Sequence, residues 1–404
     1  MISVCQIGGR MQYAVARIFD SQQLLSKLYT DLCIDKFPFS LIKESTFFSK
    51  YGSTRKVNID PRHIEHFPLL AYQYYKNKQN ANTVALEYQN YMWMEDQFGK
   101  KVINQLKSDG SEYLYVFNTA SRIIGEYKDE KKIILEQCSL PFGQYRKAII
   151  SEFEKNSGWC KPEAIYSYLD ESVEQFILHE REEWINAEYI IVPSASVKDS
   201  LIAEGVNLSK IILVPYGINF STAIDLPDQI DRKRFLPFTV STVGYLELRK
   251  GIHHFLNVAK AYPSAQFRAI GKQGNLIPDD KLSELKKYVE LTGHLDRLSL
   301  STEFQRTHVL LFLTIGEGSA TVVYEALSLG IPVITTKEAG SIIEHEVNGF
   351  IIEPDNTSLI IYYLEKLKDP DYYRYISINA LARSQYGNFE SYKNRLLENL
   401  NFVH

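Results

Sequence analysis

The segment EGSATVVYE (317–325) sets two glutamates eight positions apart across a loop-to-helix junction. Ahead of it runs HVLLFLT (308–314), whose apolar middle reads as a buried strand. Thr321 to Leu329 predicts a short helix stopped by Gly330, and IPVITT (331–336) reads as the next strand. A glutamate at the C-terminal tip of a parallel strand stands where open α/β sheets bind ligands. The N–H groups of Gly318, Ser319, Ala320 and Thr321 are expected around the helix start, where the helix dipole favours an anion. A carboxylate repels a bare phosphate but accepts hydrogen bonds from sugar or ribose hydroxyls. The pairing therefore predicts a ligand holding both sugar and phosphate, which describes a nucleotide sugar. The plain alternative, a strand–loop–helix with two solvated glutamates, is weakened by the rest of the chain.

At 404 residues the chain exceeds the usual size of one core, so two domains are expected. The composition is that of an ordinary globular protein, 45% hydrophobic and 23% charged. A net charge of −4 gives no global reason to expect nucleic acid as a partner. Cys5, Cys33, Cys138 and Cys160 show no zinc-like spacing and predict a reduced cytoplasmic protein. The start MISVCQIGG lacks a basic n-region and reads as a first strand, not a signal peptide. No apolar run approaches the roughly 20 residues that span a bilayer, which leaves peripheral membrane contact open. Tyrosines such as Tyr72, Tyr74 and Tyr75 suit either a carbohydrate-binding face or the rim of a core.

Outward from the opening segment, strands alternate with helices. ISVCQI (2–7) ends at Gly8-Gly9, where glycine lets backbone pass close to a ligand, and a helical pattern follows from about Met11 to Leu28. Residues 38–60 read as an irregular aromatic region facing an acceptor or a membrane. LYVFN (114–118), a helix over 119–129 and KIILEQC (132–138) make a βαβ unit. After a long helical stretch come YIIVPS (189–194), a helix over 197–205 and KIILVPYG (210–217). The aperiodic run 219–235 reads as an interdomain linker. The alternation then restarts with FTVSTVG (238–244), a helix over 251–261, QFRAIG (266–271) and a helix over 280–290. Residues 371–401 read as helical. This pattern implies parallel sheets with helices on both faces.

The second domain opens with VGYLELRKG (243–251), in which a strand ends at Gly244 and Arg249-Lys250 precede a helix. Two adjacent cations on such a loop suit a diphosphate, whose charge grows as the glycosidic bond breaks. A solvated surface pair is the plain reading of the dipeptide alone. LTGHLD (291–296) sets Gly293, His294 and Leu295 on another edge, where backbone groups can meet a base. Asp369-Pro370-Asp371 is a literal DxD, but in a polar loop after a helix it reads as a solvated turn.

VGYLELRKG, LTGHLD, EGSATVVYEALSLGIPVI, AGS (339–341) and NGF (348–350), in this order, closely resemble the C-terminal half of glycosyltransferase family 4 over about 240–355. A weaker resemblance runs through residues 187–219. The resemblance implies a retaining enzyme of the GT-B architecture, with two Rossmann-like parallel-sheet domains facing a central cleft. Its expected limits are an acceptor-binding domain over 1–218, a linker over 219–236 and a nucleotide-sugar-binding domain over 237–385. A helix over 386–404 is then expected to cross back to the first domain. By the same resemblance Glu317 holds donor-sugar hydroxyls beside Gly318, Ser319, Ala320 and Thr321, and Glu325 binds the ribose. Arg249 and Lys250 match the diphosphate-binding cations, and Gly8, Gly9 and Gly244 the glycine loops around the diphosphate. Two departures stand out. Tyr245 occupies a position where many relatives carry arginine, and Glu136, Gln137 and Cys138 stand where many place a sugar-contacting histidine. Gln137 is able to hydrogen-bond a sugar hydroxyl, while Glu136 takes no role from the sequence.

The reaction implied is transfer of a hexosyl unit from a nucleotide diphosphate sugar to a glycan, lipid-linked or other hydroxyl acceptor. It proceeds by front-face attack, the leaving phosphate taking the acceptor proton. A role in surface polysaccharide or other glycan assembly is the matching expectation. No metal and no cofactor are expected, because Arg249, Lys250 and a helix N-terminus supply the positive field. The alternatives are an epimerase or hydrolase acting on sugar nucleotides with this fold, or a non-catalytic sugar-nucleotide-binding subunit.

Overall fold

The apolar runs pair into two sheets, every adjacent pair of strands parallel. The structure is a computed structural model and describes residues 1–37, 39, 53–118, 120, 122, 124–128, 130–219, 236–274 and 276–401. The first sheet comprises β1 (Ile2–Gln6), β2 (Leu25–Thr30), β3 (Ile64–His66), β4 (Tyr113–Phe117), β5 (Lys132–Glu136), β6 (Tyr189–Val192) and β7 (Ile211–Leu213). Their order is β3-β2-β1-β4-β5-β6-β7. The second comprises β8 (Thr239–Val243), β9 (Gln266–Ile270), β10 (Glu290–Gly293), β11 (Val309–Phe312), β12 (Val333–Thr335) and β13 (Phe350–Ile351). Their order is β10-β9-β8-β11-β12-β13. Both are doubly wound, α/β sheets of Rossmann type.

Covering helices explain why these strands are apolar on both faces. Ile2, Val4, Tyr113 and Tyr115 point into one layer of the first domain, while Cys5, Leu114, Val116 and Ile133 point into the other. In the second sheet Val240, Val309 and Leu311 face one core, and Leu310, Phe312 and Val333 the other. Strand order reverses between β1 and β4 and again between β8 and β11. Crevices open at such reversals, beyond the strands' C-terminal ends. The loops leaving β1, β8 and β11 are those that carry Gly8-Gly9, Arg249-Lys250 and Glu317. Topology thus gathers the sequence motifs.

The last two helices, Pro370–Tyr386 and Phe389–Asn399, bend at Gly387 and belong to different cores. Tyr373 and Ile376 pack in the second domain. Tyr392, Leu396 and Leu400 are buried in the first, beside Val4 and Tyr115. Arg395 fastens this return by donating to the carbonyls of Pro215, at 2.8 Å, and Tyr216, at 3.3 Å. Among the described residues no helix is long and apolar enough to cross a membrane.

Several expectations are corrected. The helix expected from Met11 to Leu28 ends at Ser21, and residues 25–30 form β2. A left-handed turn at Gln23 (φ 58°) breaks the helix, and pairing with β1 claims LSKLYT. Where a helix is expected over 119–129, the described residues hold only a 3-10 turn, Ile124–Tyr127. The long helical stretch is three helices, Phe142–Lys155, Pro162–Tyr166 and Glu171–Asn186. The expected linker lies outside the described residues apart from Asn219 and Leu236, as do residues 38 and 40–52 of the aromatic region read over 38–60.

Candidate active site

The loop after β8 forms one side of the site. Gly251 is left-handed (φ 67°), and a methyl group there would stand 1.9 Å from the Leu313 carbonyl oxygen. Only glycine lets this loop press against β11. The Ile315 N–H and the Thr314 hydroxyl donate to the Arg249 carbonyl at 2.9 and 3.1 Å, locking the two loops together. The result brings Arg249, Lys250 and Glu317 to one point. Arg249 Nη1 and Lys250 Nζ both donate to Glu317 Oε1. Arg249 also donates to Glu247 Oε1 at 3.0 Å and to the Gly316 carbonyl at 3.2 Å. The Lys250 side chain crosses Gly244, where an added methyl would lie 3.5 Å from Lys250 Cε.

Charge balance here is tight. Burial alone would lower the Arg249 pKa, but the carboxylates of Glu317 and Glu247 overcome it and raise it. Burial does lower the Lys250 pKa, with Arg249 pushing the same way and Glu317 only partly offsetting it. Lys250 is therefore a cation that needs an anion beside it.

The helix Thr321–Ser328 begins with no side chain capping it and no acidic residue in its first turn. That leaves its positive end for a ligand anion. Of the four N–H groups expected around the start, that of Ala320 is already spent, donating to the Ala339 carbonyl at 2.9 Å. Ser319 Oγ hydrogen-bonds the Tyr324 hydroxyl at 2.9 Å. Gly318 meets the first domain: a methyl there would lie 1.8 Å from the Cys138 carbonyl oxygen. The Ser194 hydroxyl donates to the Gly318 carbonyl at 2.7 Å. So the cleft is closed at this point.

A cavity of about 470 Å³ lies between the domains, lined by Gly9, Arg17, Tyr216, Thr321, Glu325 and Phe389 among others. It brings Glu325 opposite the Gly8-Gly9 loop. Leu295 follows β10, two strands from β8, and does not line this cavity. Arg17 was not signalled by any motif. Its Nε is buried with no hydrogen-bond partner among the described residues, its guanidinium lies 5.5 Å from the Phe389 ring, and burial lowers its pKa. A lone arginine inside the apolar stretch AVARIF was the only clue.

A second cavity, about 330 Å³, opens at the tips of β1, β4 and β5 in the first domain. Tyr74, Tyr75, Tyr88, Tyr91, Phe142 and Phe176 supply its aromatic wall. Tyr72, from the same sequence cluster, is exposed. The polar part holds Gly8, Arg10, Asn118 and Glu180, with Arg55 paired to Asp31 at 2.7 Å. Arg10 donates to Asn118 Oδ1 at 3.1 Å.

Gln137 is not placed to meet a ligand: it lines neither cavity. It is fully buried, donating to Glu180 Oε1 at 2.8 Å and to the Ser139 carbonyl at 3.1 Å, and accepting from Trp184 Nε1 at 3.0 Å. Glu136 is equally buried, accepting from the Tyr115 and Tyr216 hydroxyls, both at 2.5 Å, and burial raises its pKa. Asp369 is a helix cap, its side chain accepting from the Tyr372 N–H at 2.8 Å, as a polar turn requires.

Residues 229–383 match the family model of group 1 glycosyl transferases. No curated protein sequence matches the chain. Among solved structures, Anabaena Alr3699/HepE in complex with UDP aligns with 99% of both chains at 16% identity and a TM-score of 0.64. Sucrose-phosphate synthase from Thermosynechococcus elongatus covers 100% of this chain and 98% of its own, at 14% identity and a TM-score of 0.66. WaaG, a glycosyltransferase involved in lipopolysaccharide biosynthesis, covers 98% of both at 13% identity and a TM-score of 0.60. The chain thus has the two-domain GT-B fold, and its second domain matches the group 1 glycosyl transferases.

Proposed function

We propose that this protein is a retaining glycosyltransferase moving a hexosyl unit from a nucleotide diphosphate sugar to a hydroxyl acceptor. The observation that carries this is the convergence of Arg249, Lys250 and Glu317 beside an uncapped helix start. The two cations would take the diphosphate, while Arg17, from the first domain, lines the interdomain cavity that holds Thr321 and Glu325. Glu317 would turn from the cations to sugar hydroxyls, and Glu325 would hold the ribose. The bond between the anomeric carbon and phosphate oxygen breaks as the acceptor oxygen bonds that carbon from the same face. The acceptor proton passes to the leaving phosphate, whose charge Arg249 and Lys250 stabilise.

The aromatic cavity of the first domain suits the acceptor, since tyrosine faces stack on sugar rings and Glu180 and Asn118 offer polar contacts. A glycan or lipid-linked glycan fits that wall, which is compatible with polysaccharide assembly. The reading places the protein in the cytoplasm, where its four free thiols stay reduced. It assigns no metal to the transfer step.

The test is release of nucleoside diphosphate from a panel of nucleotide sugars, read with melting temperature. A ligand that binds only the folded chain raises that temperature by mass action. Lys250→Ala should lower turnover by about 10²-fold or more, while Glu325→Ala should mainly weaken donor binding. Turnover unaffected by Mg²⁺ or Mn²⁺ is expected. Stabilisation without turnover, with every acceptor class tried, would make the chain a binding subunit instead.

A further inference from the structure

The two domains meet a second time along the helix Phe142–Lys155. Ile149, with Cys160 and Ile165, packs there against Leu248 and Ile315 of the second domain. Glu152 reaches from this helix to His253 and His254, at the start of the helix Ile252–Ala261. His253 Nε2 stands 2.7 Å, and His254 Nε2 3.0 Å, from the same Glu152 Oε1. One donor atom from each of the three lies within 4.8 Å of the others, and all three residues are buried.

Hydrogen bonding leaves this cluster incomplete. His253 Nδ1 has no hydrogen-bond partner among the described residues, and His254 Nε2 meets Glu152 Oε1 only as a close contact outside hydrogen-bond geometry. An unsatisfied polar atom in such a seam costs about 1–3 kcal/mol. Meanwhile Glu152 Oε1 is crowded, since Asn156 Nδ2 also donates to it at 2.8 Å.

We propose that Glu152, His253 and His254 form a structural divalent-metal site of zinc type, clamping the two domains together. Two imidazoles and one carboxylate suit zinc and similar borderline ions, whereas calcium and magnesium prefer oxygen throughout. Zinc–ligand bonds of about 2.0–2.2 Å put tetrahedral donor atoms about 3.3 Å apart. The separations of 2.7 and 3.0 Å need open by only a few tenths of an ångström. Without the ion, Glu152 holds the His253 ring by a hydrogen bond, so the donors stay assembled. With it, the crowded carboxylate oxygen gains a cation, and His254 Nε2 exchanges a poorly aimed contact for a bond. A fourth position is left for water, since Glu152 and His254 keep slight exposure. His254 lies four residues beyond Lys250, so the clamp would also steady the end of the loop leaving β8 against the first domain.

The experiment uses the full chain, free of any affinity tag, stripped of metal and then titrated with Zn²⁺ or Co²⁺. Mass spectrometry after gel filtration should find about one zinc per chain. Co²⁺ should give the visible absorption of a tetrahedral site, and Zn²⁺ should raise the melting temperature. Glu152→Gln keeps the side-chain shape and an acceptor oxygen, yet should weaken metal binding at least about tenfold and abolish the thermal shift. His254→Asn should do the same, and His253→Gln serves if that variant does not fold. Wild-type protein that retains no zinc and does not shift, or variants that bind zinc equally well, would overturn the site and leave a hydrogen-bonded seam. Metal content and melting temperature decide this whatever reaction the cleft performs.

Discussion

Glu317 is the residue on which the site turns, because it faces two cations that a diphosphate would also claim. In the free protein it balances their charge together with Glu247. Replacing it with glutamine removes that competition and keeps the side-chain size. Glu317→Gln is therefore expected to bind nucleoside diphosphate at least as tightly as wild type, while transfer falls by about 10²-fold or more. Calorimetry with the diphosphate alone, set beside initial rates, separates the two effects. Weaker diphosphate binding in the variant would mean that Glu317 positions the cations rather than competing for their charge. The roles proposed for Arg249 and Lys250 also differ chemically. The guanidinium is committed to Glu247, Gly316 and Glu317, so it builds the loop as well as facing the cleft. Lys250 has fewer obligations, which makes it the better probe of charge stabilisation.

Between elements, Glu180 joins three pieces of the first domain. From the helix Glu171–Asn186 it accepts the Phe142 N–H at 2.6 Å, capping the next helix to the cleft, and the Gln137 amide at the tip of β5. Burial pushes its pKa up to about 7, even though both donors favour the ionised form. A carboxyl whose folded pKa lies above its unfolded value binds more protons when folded. Stability is then lost as pH rises from about 4.5 to about 7 and is level above that. The slope over that window should be a few kcal/mol in total and should vanish in Glu180→Gln. Denaturant unfolding at successive pH values measures it; an unchanged slope in the variant would assign the effect to other groups.

The two domains are held as one molecule partly by the final helix. Leu396 is fully buried in the first domain's core, although the helix before it packs on the second. Leu396→Ala should cost about 2–5 kcal/mol, the usual range for a buried leucine. The first domain should melt earlier while the second keeps its transition, so calorimetry should resolve two steps. A single unshifted transition would show that the helix adds little to that core. At the opposite end of the interface Gly318 touches Cys138 and Ser194, so the chain is fastened across the cleft at more than one place.

The amino-acid sequence alone determined the layered α/β class and the motifs around Arg249, Lys250, Glu317 and Glu325. Both are local properties: fully apolar strands must be buried on both faces, and loops leaving their C-terminal ends must hold the ligand-binding residues. It misread residues 25–30, because short apolar runs suit helix or strand until a partner strand claims them. It left Gln137 open, because which groups surround a residue at a strand's end depends on the elements packed there, here Glu180 and Trp184. Only the tertiary structure decided that Arg17 shares a cavity with Glu325, that aromatic residues from four separate segments form one pocket, and that Glu152 meets His253 and His254. Those meetings join residues up to hundreds of positions apart. They are set by how the sheets stack and close, and no local pattern in the chain encodes them.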